Sequence, residues 1–159
     1  MQLLSYFKYY LWYFGHFKVP LIGHLKPKLI RVTDEEVIVK LPLSRRSKNH
    51  LNSMYFGALA VGADLAGGLH ALYYAKRLTI PISFAFKSFD AQFLKRPESD
   101  VYFISTMGKT VEAMIHASKE SHQRVNQRIR VSAFTNYTEQ AEIVAEFTIE
   151  LSIKVRANT

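Results

Sequence analysis

The spacing of apolar side chains changes after Pro27 from a helical repeat to alternation. Residues 3–17 are rich in aromatic side chains and predict an amphipathic helix, within a helical extension that covers residues 1–26. Residues 29–33 and 36–41 alternate apolar with polar positions, which predicts two short strands joined by a Thr-Asp-Glu turn. The chain therefore opens with a helix followed by two strands.

The middle of the chain predicts one long helix and then a long strand. The helix runs from about Phe56 to Lys76, with Asn52 or Ser53 as its cap and a proline shortly beyond its end. Residues 82–94 then alternate, but neither face is purely apolar, so this strand is predicted to bend or bulge. The same rules predict strands at 100–107, 125–135 and 143–155 and a short helix at 110–122.

This order of elements predicts an α+β fold in a single domain that spans residues 1–159. Six strands with one long, glycine-rich helix between the second and the third favour an antiparallel sheet curled around that helix. A chain of 159 residues, 48% of them hydrophobic, is sufficient for one core, and no internal repeat or linker divides it.

Composition excludes several kinds of chemistry. The absence of cysteine rules out disulfides, thiolate metal sites and a cysteine nucleophile. The histidines lack the spacing of a metal site and no G-x-S-x-G motif is present, so neither a metal nor a cofactor is predicted. A net charge of +8 favours an anionic partner, such as acidic lipid headgroups or a coenzyme A thioester. The basic residues are dispersed, which disfavours nucleic acid.

The N-terminal segment has two interpretations. It lacks the basic region, unbroken apolar core and cleavage site of a signal peptide, and Lys8 interrupts any membrane span, so we expect a cytoplasmic protein without a transmembrane helix. Residues 1–17 then either cover the hydrophobic core as a lid or make a weak contact with a bilayer surface, with Trp12 at headgroup level. The lid is favoured by analogy with ordinary amphipathic helices.

The stretch from Asn49 to His70 holds a single acidic side chain, Asp64, among apolar residues and glycines. A carboxylate in such surroundings needs a partner, or a cavity that water or a ligand can reach. Four of the seven glycines fall between Gly57 and Gly68, although each costs roughly 1 kcal/mol in a helix. A functional acid on a helix that another element approaches closely fits both observations.

The segment from Asn49 to Asp64 resembles the hot-dog fold thioesterases, in particular the phenylacetyl-CoA and acyl-CoA thioesterase-like branch. Those relatives carry an N-x-x-G-x-x-H-G-G loop before a helix that ends L-x-D, and this chain has NHLNSMYFGALAVGAD with the same spacing from asparagine to aspartate. The opening region resembles poorly characterised members of the DUF4442 type. The resemblance implies a curved antiparallel sheet of about six strands wrapped around a long central helix, with an N-terminal helix added.

The resemblance also implies roles for the matching residues. The backbone N–H of Phe56, beside Gly57, would bind an oxyanion, Asp64 would act as general base or nucleophile, and Asn49 would orient water or substrate. Tyr55 and Phe56 stand where many relatives have histidine and glycine, which leaves a backbone donor in place. Alternatively, Asp64 forms an ion pair across a subunit boundary and Asn49 only caps a turn.

Further residues are candidates for binding the substrate. Tyr55 borders the matching loop, and Ser83 and Ser88 lie where relatives can carry a strand hydroxyl that holds the water. Alternation puts Ser88 on the same face as Phe86, although a serine in a strand is commonly an ordinary polar residue. Basic side chains that could contact the phosphates of coenzyme A, or simply be solvated, are Arg45, Arg46, Lys48, Lys95 and Arg96.

The resemblance therefore leads us to expect a homodimer or dimer of dimers that hydrolyses a medium-chain, long-chain or aromatic acyl thioester. Coenzyme A enters only as part of the substrate, and Asn49 and Asp64 of one site are expected from opposite subunits. The alternative is a non-catalytic protein that binds acyl-CoA or an acyl-carrier protein in the same pocket, with Asp64 in a structural role. Tyr55 and Phe56 slightly favour that alternative.

Overall fold

The computed structural model of the protein describes residues 2–156. Helix α1 (Gln2–Tyr13) continues through a π-helical turn (Phe14–Lys18) and is followed by a short helix, α2 (Pro20–Leu25), which the sequence did not separate from the first. The other helices are α3 (Phe56–Leu78) and α4 (Gly108–Ser121). The strands are β1 (Lys28–Val32), β2 (Val37–Leu41), β3 (Ile82–Phe93), β4 (Val101–Ser105), β5 (Val125–Thr135) and β6 (Glu142–Val155).

The six strands form one antiparallel sheet in the order β1-β2-β4-β5-β6-β3. The predicted α+β fold, a curved antiparallel sheet with a long central helix and an N-terminal helix, is confirmed. Strand β3 lies at one edge and pairs with β6 along its whole length. Its outer side therefore presents backbone N–H and C=O groups without a neighbouring strand in the described chain.

The glycines of α3 allow the helix to lie directly on the sheet. A Cβ atom added to Gly62 would overlap the ring of Phe103 on β4. A Cβ atom added to Gly67 would lie 3.1 Å from the Cδ1 atom of Ile129 on β5. The close approach that the glycine content predicts is confirmed at Gly62.

Strand β3 contains the predicted bulge. Its pairing with β6 slips by one residue between Phe86 and Ser88. The ring of Phe86 faces α3 and approaches Gly68, and after the slip the ring of Phe89 faces the core, 5.6 Å from that of Phe147. Because the extra residue reverses the alternation, Ser88 lies on the outer face of the sheet.

Helix α1 covers one end of the core, as the lid interpretation predicts. Phe7 and Leu11 are buried, and the ring of Phe7 lies 6.0 Å from that of Tyr73 on α3. The backbone of the π-helical turn touches α2, since a Cβ atom at Gly15 would lie 2.9 Å from the Cα atom of Gly23. The opposite face of α1 is exposed to solvent.

Helix α3 is the only helix within residues 2–156 that is long and apolar enough to cross a membrane. Most of its apolar stretch is buried inside the protein, against the sheet and α4. Burial of this kind is typical of a central core helix.

Candidate active site

The loop before α3 is held by its own hydrogen bonds. The Oδ1 atom of Asn49 accepts hydrogen bonds from the N–H groups of Leu51 (2.9 Å) and Ser53 (3.3 Å) and from the Ser53 hydroxyl (3.2 Å). The N–H of Tyr55 donates to the carbonyl of Ser47 (2.8 Å). Asn49 therefore does cap the turn, and its Nδ2 atom has no protein acceptor among the described residues.

Helix α3 begins with free backbone donors. The N–H groups of Ala58 and Leu59 donate to the carbonyl of the cap residue, Tyr55. Across residues 2–156, no acceptor meets the N–H of Phe56 or of Gly57. Both groups lie at the positive end of the helix dipole. The start of α3 thus has the donors that a negatively charged oxygen requires.

A cavity of about 560 Å³, which we call the helix-start cavity, lies against these donors. Its lining includes Asn49, Tyr55 and Phe56, which the sequence singled out. It also includes apolar residues that the sequence did not single out, among them Leu59 and Phe93. The rings of Phe56 and Phe93 are 6.3 Å apart, so the first turn of α3 lies beside the last residues of β3.

Asp64 lies two turns further along α3 and is half-buried. Its carboxylate has no hydrogen bond or ion pair in the part of the chain that the structure describes. Burial raises the pKa of Asp64 above its usual value of 3.8. Gly57 and Val61 share its partly exposed stripe at helical spacing, and Gly68, one turn later, contacts β3. The unpaired carboxylate therefore lies on the side of α3 that follows the free sheet edge.

The predicted donors and the predicted base are far apart within one chain. Asp64 lies eight positions after Phe56 on α3, which corresponds to about 12 Å along the helix axis. A carbonyl oxygen bound at the N–H of Phe56 is therefore out of reach of a water molecule held by Asp64 of the same chain. The described chain does not bring the two together.

Two cationic side chains line the helix-start cavity, and three others lie in the loop that precedes it. Lys95 and Arg96 line it, and Lys95 also forms an ion pair with Glu142. The ammonium group of Lys48 donates to Oδ1 of Asn52 (3.0 Å). Three residues predicted to bind phosphates are exposed in the preceding loop and do not line the cavity, namely Arg45, Arg46 and Lys48.

The structure does not bring Ser83 and Ser88 to Asp64. Both residues lie on the outer face of β3, whereas α3 packs on the inner face. The Ser83 hydroxyl accepts a hydrogen bond from Arg124 (3.2 Å), within a network that includes Ser152. The interpretation that Ser88 shares a face with Phe86 is wrong because it did not include the residue that the bulge adds.

A second polar cluster, which the sequence did not predict, lies at the other end of α3. The carboxylate of Asp34 accepts hydrogen bonds from the Tyr73 hydroxyl (2.5 Å) and from Arg77. The Asp34 carbonyl accepts one from the Tyr74 hydroxyl (2.7 Å). His70 lies nearby, fully buried, and neither ring nitrogen has a hydrogen-bond partner among the described residues. The signal in the sequence was that His70 is the one basic side chain, and Asp64 the one acidic side chain, between Tyr55 and Tyr74.

Burial lowers the pKa of His70 to about 4, against smaller effects of the Thr33 backbone and the Asp34 carboxylate that raise it. The ring is therefore neutral at physiological pH. Its Nε2 atom would lie 2.9 Å from a Cβ atom added to Gly108. Residues 2–156 contain no group of three or more side chains arranged to bind a metal.

A family model for a domain of unknown function, DUF4442, matches residues 10–153. The chain belongs to the DUF4442 family. No curated protein sequence matches the DUF4442 protein.

Solved structures share its architecture at low sequence identity. A Chlorobaculum tepidum protein of unknown function is 10% identical with a TM-score of 0.82, over 96% of this chain and 97% of the other. A probable thioesterase from Pseudomonas aeruginosa is 14% identical with a TM-score of 0.75, over 93% and 95%. A thioesterase family protein from Silicibacter pomeroyi is 14% identical with a TM-score of 0.65, over 90% and 93%.

The DUF4442 protein therefore has the hot-dog fold, as the loop before α3 predicts, and shares this fold with proteins that are named thioesterases. Likeness at this level of identity concerns the fold. The chemistry of the DUF4442 protein has to be argued from its own residues, because one fold serves many functions.

Proposed function

We propose that the DUF4442 protein hydrolyses acyl thioesters. The observation that carries this proposal is Asp64, a half-buried carboxylate without a partner among the described residues, on the helix whose first two N–H groups are free. Asp64 has no ion pair within residues 2–156, so the other explanation, an ion pair across a subunit boundary, would need a basic residue of a second copy. The thioesterase names of two proteins with this fold support the same reaction class.

In the proposed reaction, ionised Asp64 takes a proton from water as the water oxygen attacks the thioester carbonyl carbon. The carbonyl oxygen gains negative charge and accepts hydrogen bonds from the N–H groups of Phe56 and Gly57. The C–S bond then breaks, and the proton passes from Asp64 to the departing sulfur, so the products are a carboxylic acid and a thiol. Burial favours this role because it raises the pKa of Asp64 and makes the carboxylate a stronger base. Direct attack by the carboxylate, through an anhydride, is the other form of the proposal.

The proposed site is formed by two subunits. About 12 Å of helix separates Phe56 from Asp64 in one chain, so each carbonyl would meet the donors of one subunit and the carboxylate of the other. The unpaired edge of β3, beside the stripe that holds Asp64, supports a homodimer joined along this side, alone or as half of a dimer of dimers.

Mixing two inactive variants tests the shared site. Asp64→Asn removes the base, and Phe56→Pro removes one donor at the first helical position, where proline is tolerated. Randomly mixed dimers should recover about a quarter of the wild-type activity, because half of them contain one intact site. Variants that are each inactive alone and recover nothing after subunit exchange would exclude a site formed across two subunits.

The substrate is proposed to be an apolar acyl or aryl thioester of coenzyme A. The apolar wall of the helix-start cavity, Tyr55, Phe56, Leu59 and Phe93, suits the acyl group. Lys95 and Arg96 on its rim, with Arg45, Arg46 and Lys48 nearby, suit the phosphates. The free Nδ2 atom of Asn49 is proposed to orient the substrate or the attacking water, while its Oδ1 atom holds the loop through hydrogen bonds. No metal or prosthetic group takes part in this proposal, and the proposed location is the cytoplasm.

Thiol release from short, medium, long and aromatic acyl-CoAs, measured for wild type and Asp64→Asn, tests the function. We expect wild type to turn over at least one class, and the variant to bind it without turnover. Tight binding of acyl-CoA by wild type without turnover of any substrate would favour the non-catalytic alternative. The exposed Tyr55 and Phe56 at the cavity mouth are the observation in favour of that alternative, because their rings can enclose a bound acyl chain.

A further inference from the structure

The outward side of α1, the π-helical turn and α2 carries a group of exposed apolar side chains. We call it the aromatic face, and its members are Tyr9, Trp12, Tyr13, Phe17 and Leu21. Phe17 and Leu21 are 65% and 61% exposed, which is unusual for side chains of this size. The ring of Trp12 lies 5.9 Å from Tyr9 and 6.1 Å from Phe17, so the rings form one patch. A patch of this kind marks an interaction surface.

The sequence around the aromatic face is entirely free of acidic residues. Residues 1–33 contain five lysines and arginines but no aspartate or glutamate, and the first acidic residue of the chain is Asp34. The aromatic face therefore lies within the most one-sided positive segment of a chain whose net charge is +8.

A groove of about 630 Å³ adjoins the aromatic face between α1 and β1. Its basic lining residues, Lys8, Lys26 and Lys28, form no salt bridge within residues 2–156. Its apolar lining includes Trp12 and the exposed Ile30. Ammonium groups around an apolar floor match a phosphate with the first carbons of its acyl chains.

We propose that the DUF4442 protein docks on membranes with anionic phospholipid headgroups, with the aromatic face in the bilayer interface and the groove around a headgroup phosphate. Aromatic side chains favour the headgroup level, and lysines near an anionic surface are attracted to it. A second copy of the chain fits this surface poorly, because it would bring two acid-free, basic segments together. Docking does not depend on the proposed thioesterase activity.

Trp12 is the only tryptophan of the chain, so its fluorescence reports on this face alone. Adding vesicles of phosphatidylcholine and phosphatidylserine should shift its emission to shorter wavelength, and brominated lipids should quench it. Vesicles of phosphatidylcholine alone should have a much smaller effect, and added salt should reverse the binding. Unchanged emission, together with wild-type protein that stays in the supernatant after vesicle sedimentation, would overturn the proposal.

Matched variants test whether the face itself is responsible. Phe17→Ser with Leu21→Ser should weaken vesicle binding at least about tenfold, and Trp12 remains as the reporter. The control, Leu51→Ser with Leu94→Ser, removes two exposed apolar side chains elsewhere and should bind like wild type. Equal losses in both would refute docking through the aromatic face.

The charges are tested in the same way. Lys8, Lys26 and Lys28 changed together to Gln should remove the preference for anionic vesicles. The control changes three exposed basic residues of β5 and β6 to Gln, namely Arg128, Arg130 and Lys154, and should keep that preference.

Concentration-dependent self-association that Phe17→Ser with Leu21→Ser abolishes, without vesicle binding by wild type, would assign the face to a second copy. Binding to single-stranded oligonucleotides but not to vesicles would assign it to nucleic acid. Either result overturns the proposal.

Discussion

Asp34 and Asp64 both lie against helix α3, but their surroundings are opposite. The Asp34 carboxylate accepts hydrogen bonds from Tyr73 and Arg77, and these two contacts hold its pKa below the usual value. The Asp64 carboxylate has no partner within residues 2–156, and burial raises its pKa. Burial is therefore the main influence on the pKa of Asp64, whereas hydrogen bonds are the main influence on the pKa of Asp34.

This difference separates two uses of a carboxylate. Hydrogen bonds and an ion pair from α3 to Asp34 attach the turn between β1 and β2 to the end of that helix. The charge of Asp64 stabilises nothing in the described chain and is available to a water molecule or a ligand. Substitution of each residue should therefore affect a different property, folding for Asp34 and turnover for Asp64.

The largest expected effect is on turnover. Asp64→Asn should lower kcat for thiol release by about 100-fold or more, because the general base is lost. Asp34→Asn is the control and should leave kcat nearly unchanged. Steady-state kinetics on the best acyl-CoA measures both, and equal losses in the two variants would contradict the contrast between them.

His70 provides a test of whether burial in α3 lowers the pKa of a side chain enough to affect the stability of the fold. Its pKa of about 4 lies below the unfolded value of 6.5, so the folded protein should lose stability as the pH falls through this window. The loss should approach roughly 3 kcal/mol near pH 4, at about 1.4 kcal/mol for each pKa unit. Urea unfolding at pH 7 and pH 4 should show this loss in wild type and in the exposed-site control His116→Gln, but not in His70→Leu. The same loss in all three proteins would assign it to other groups.

Loss of a hydrogen bond to Asp34 should have a smaller effect on stability, which can still be measured. Tyr73→Phe removes the hydroxyl that donates to Asp34 and should lower the free energy of unfolding by about 1.5 kcal/mol. Tyr9→Phe, at an exposed position, is the control and should have no effect on urea unfolding. Equal stability of Tyr73→Phe and wild type would show that Arg77 alone is sufficient.

The smallest expected effect is on stability, which should change in opposite directions in Asp34→Asn and Asp64→Asn. Because the folded pKa of Asp34 is lowered, its stabilising contribution is present above pH 3.8 and is lost as the pH falls through the folded pKa. Because the folded pKa of Asp64 is raised, its ionisation destabilises the fold as the pH rises from 3.8 through the folded pKa. At pH 7, Asp64→Asn should therefore be more stable than wild type and Asp34→Asn less stable, and both differences should fade in acid. Thermal unfolding at a series of pH values checks both signs.

Much of the fold could be predicted because it depends on local patterns. The alternation in the strands, the glycines of α3 and the irregular alternation of β3 are all visible in the sequence. Asp64 was found because it is the only acidic residue between Tyr55 and Tyr74. The short helix α2 was not predicted, because a helix of six residues that directly follows another helix shows no apolar repeat of its own.

The rest depends on contacts between distant residues. One added residue near Lys87 turned Ser88 to the outer face, and alternation does not show where such a residue lies. Asp34 and Tyr73 are 39 residues apart, so nothing local connects them. The sequence showed that Asn49 could cap a turn but not which atom it would use, and the oxygen is now known to be engaged.

The contact between Gly62 and the ring of Phe103 connects sheet packing to the geometry of the proposed reaction. Because Gly62 has no side chain, the helix backbone rests on the ring of Phe103, and the size of residue 103 determines how closely the first half of α3 approaches β4. That half carries both the free N–H groups and Asp64. Natural variation or laboratory selection at position 103 could therefore change substrate preference from inside the core, with every residue of the cavity left unaltered.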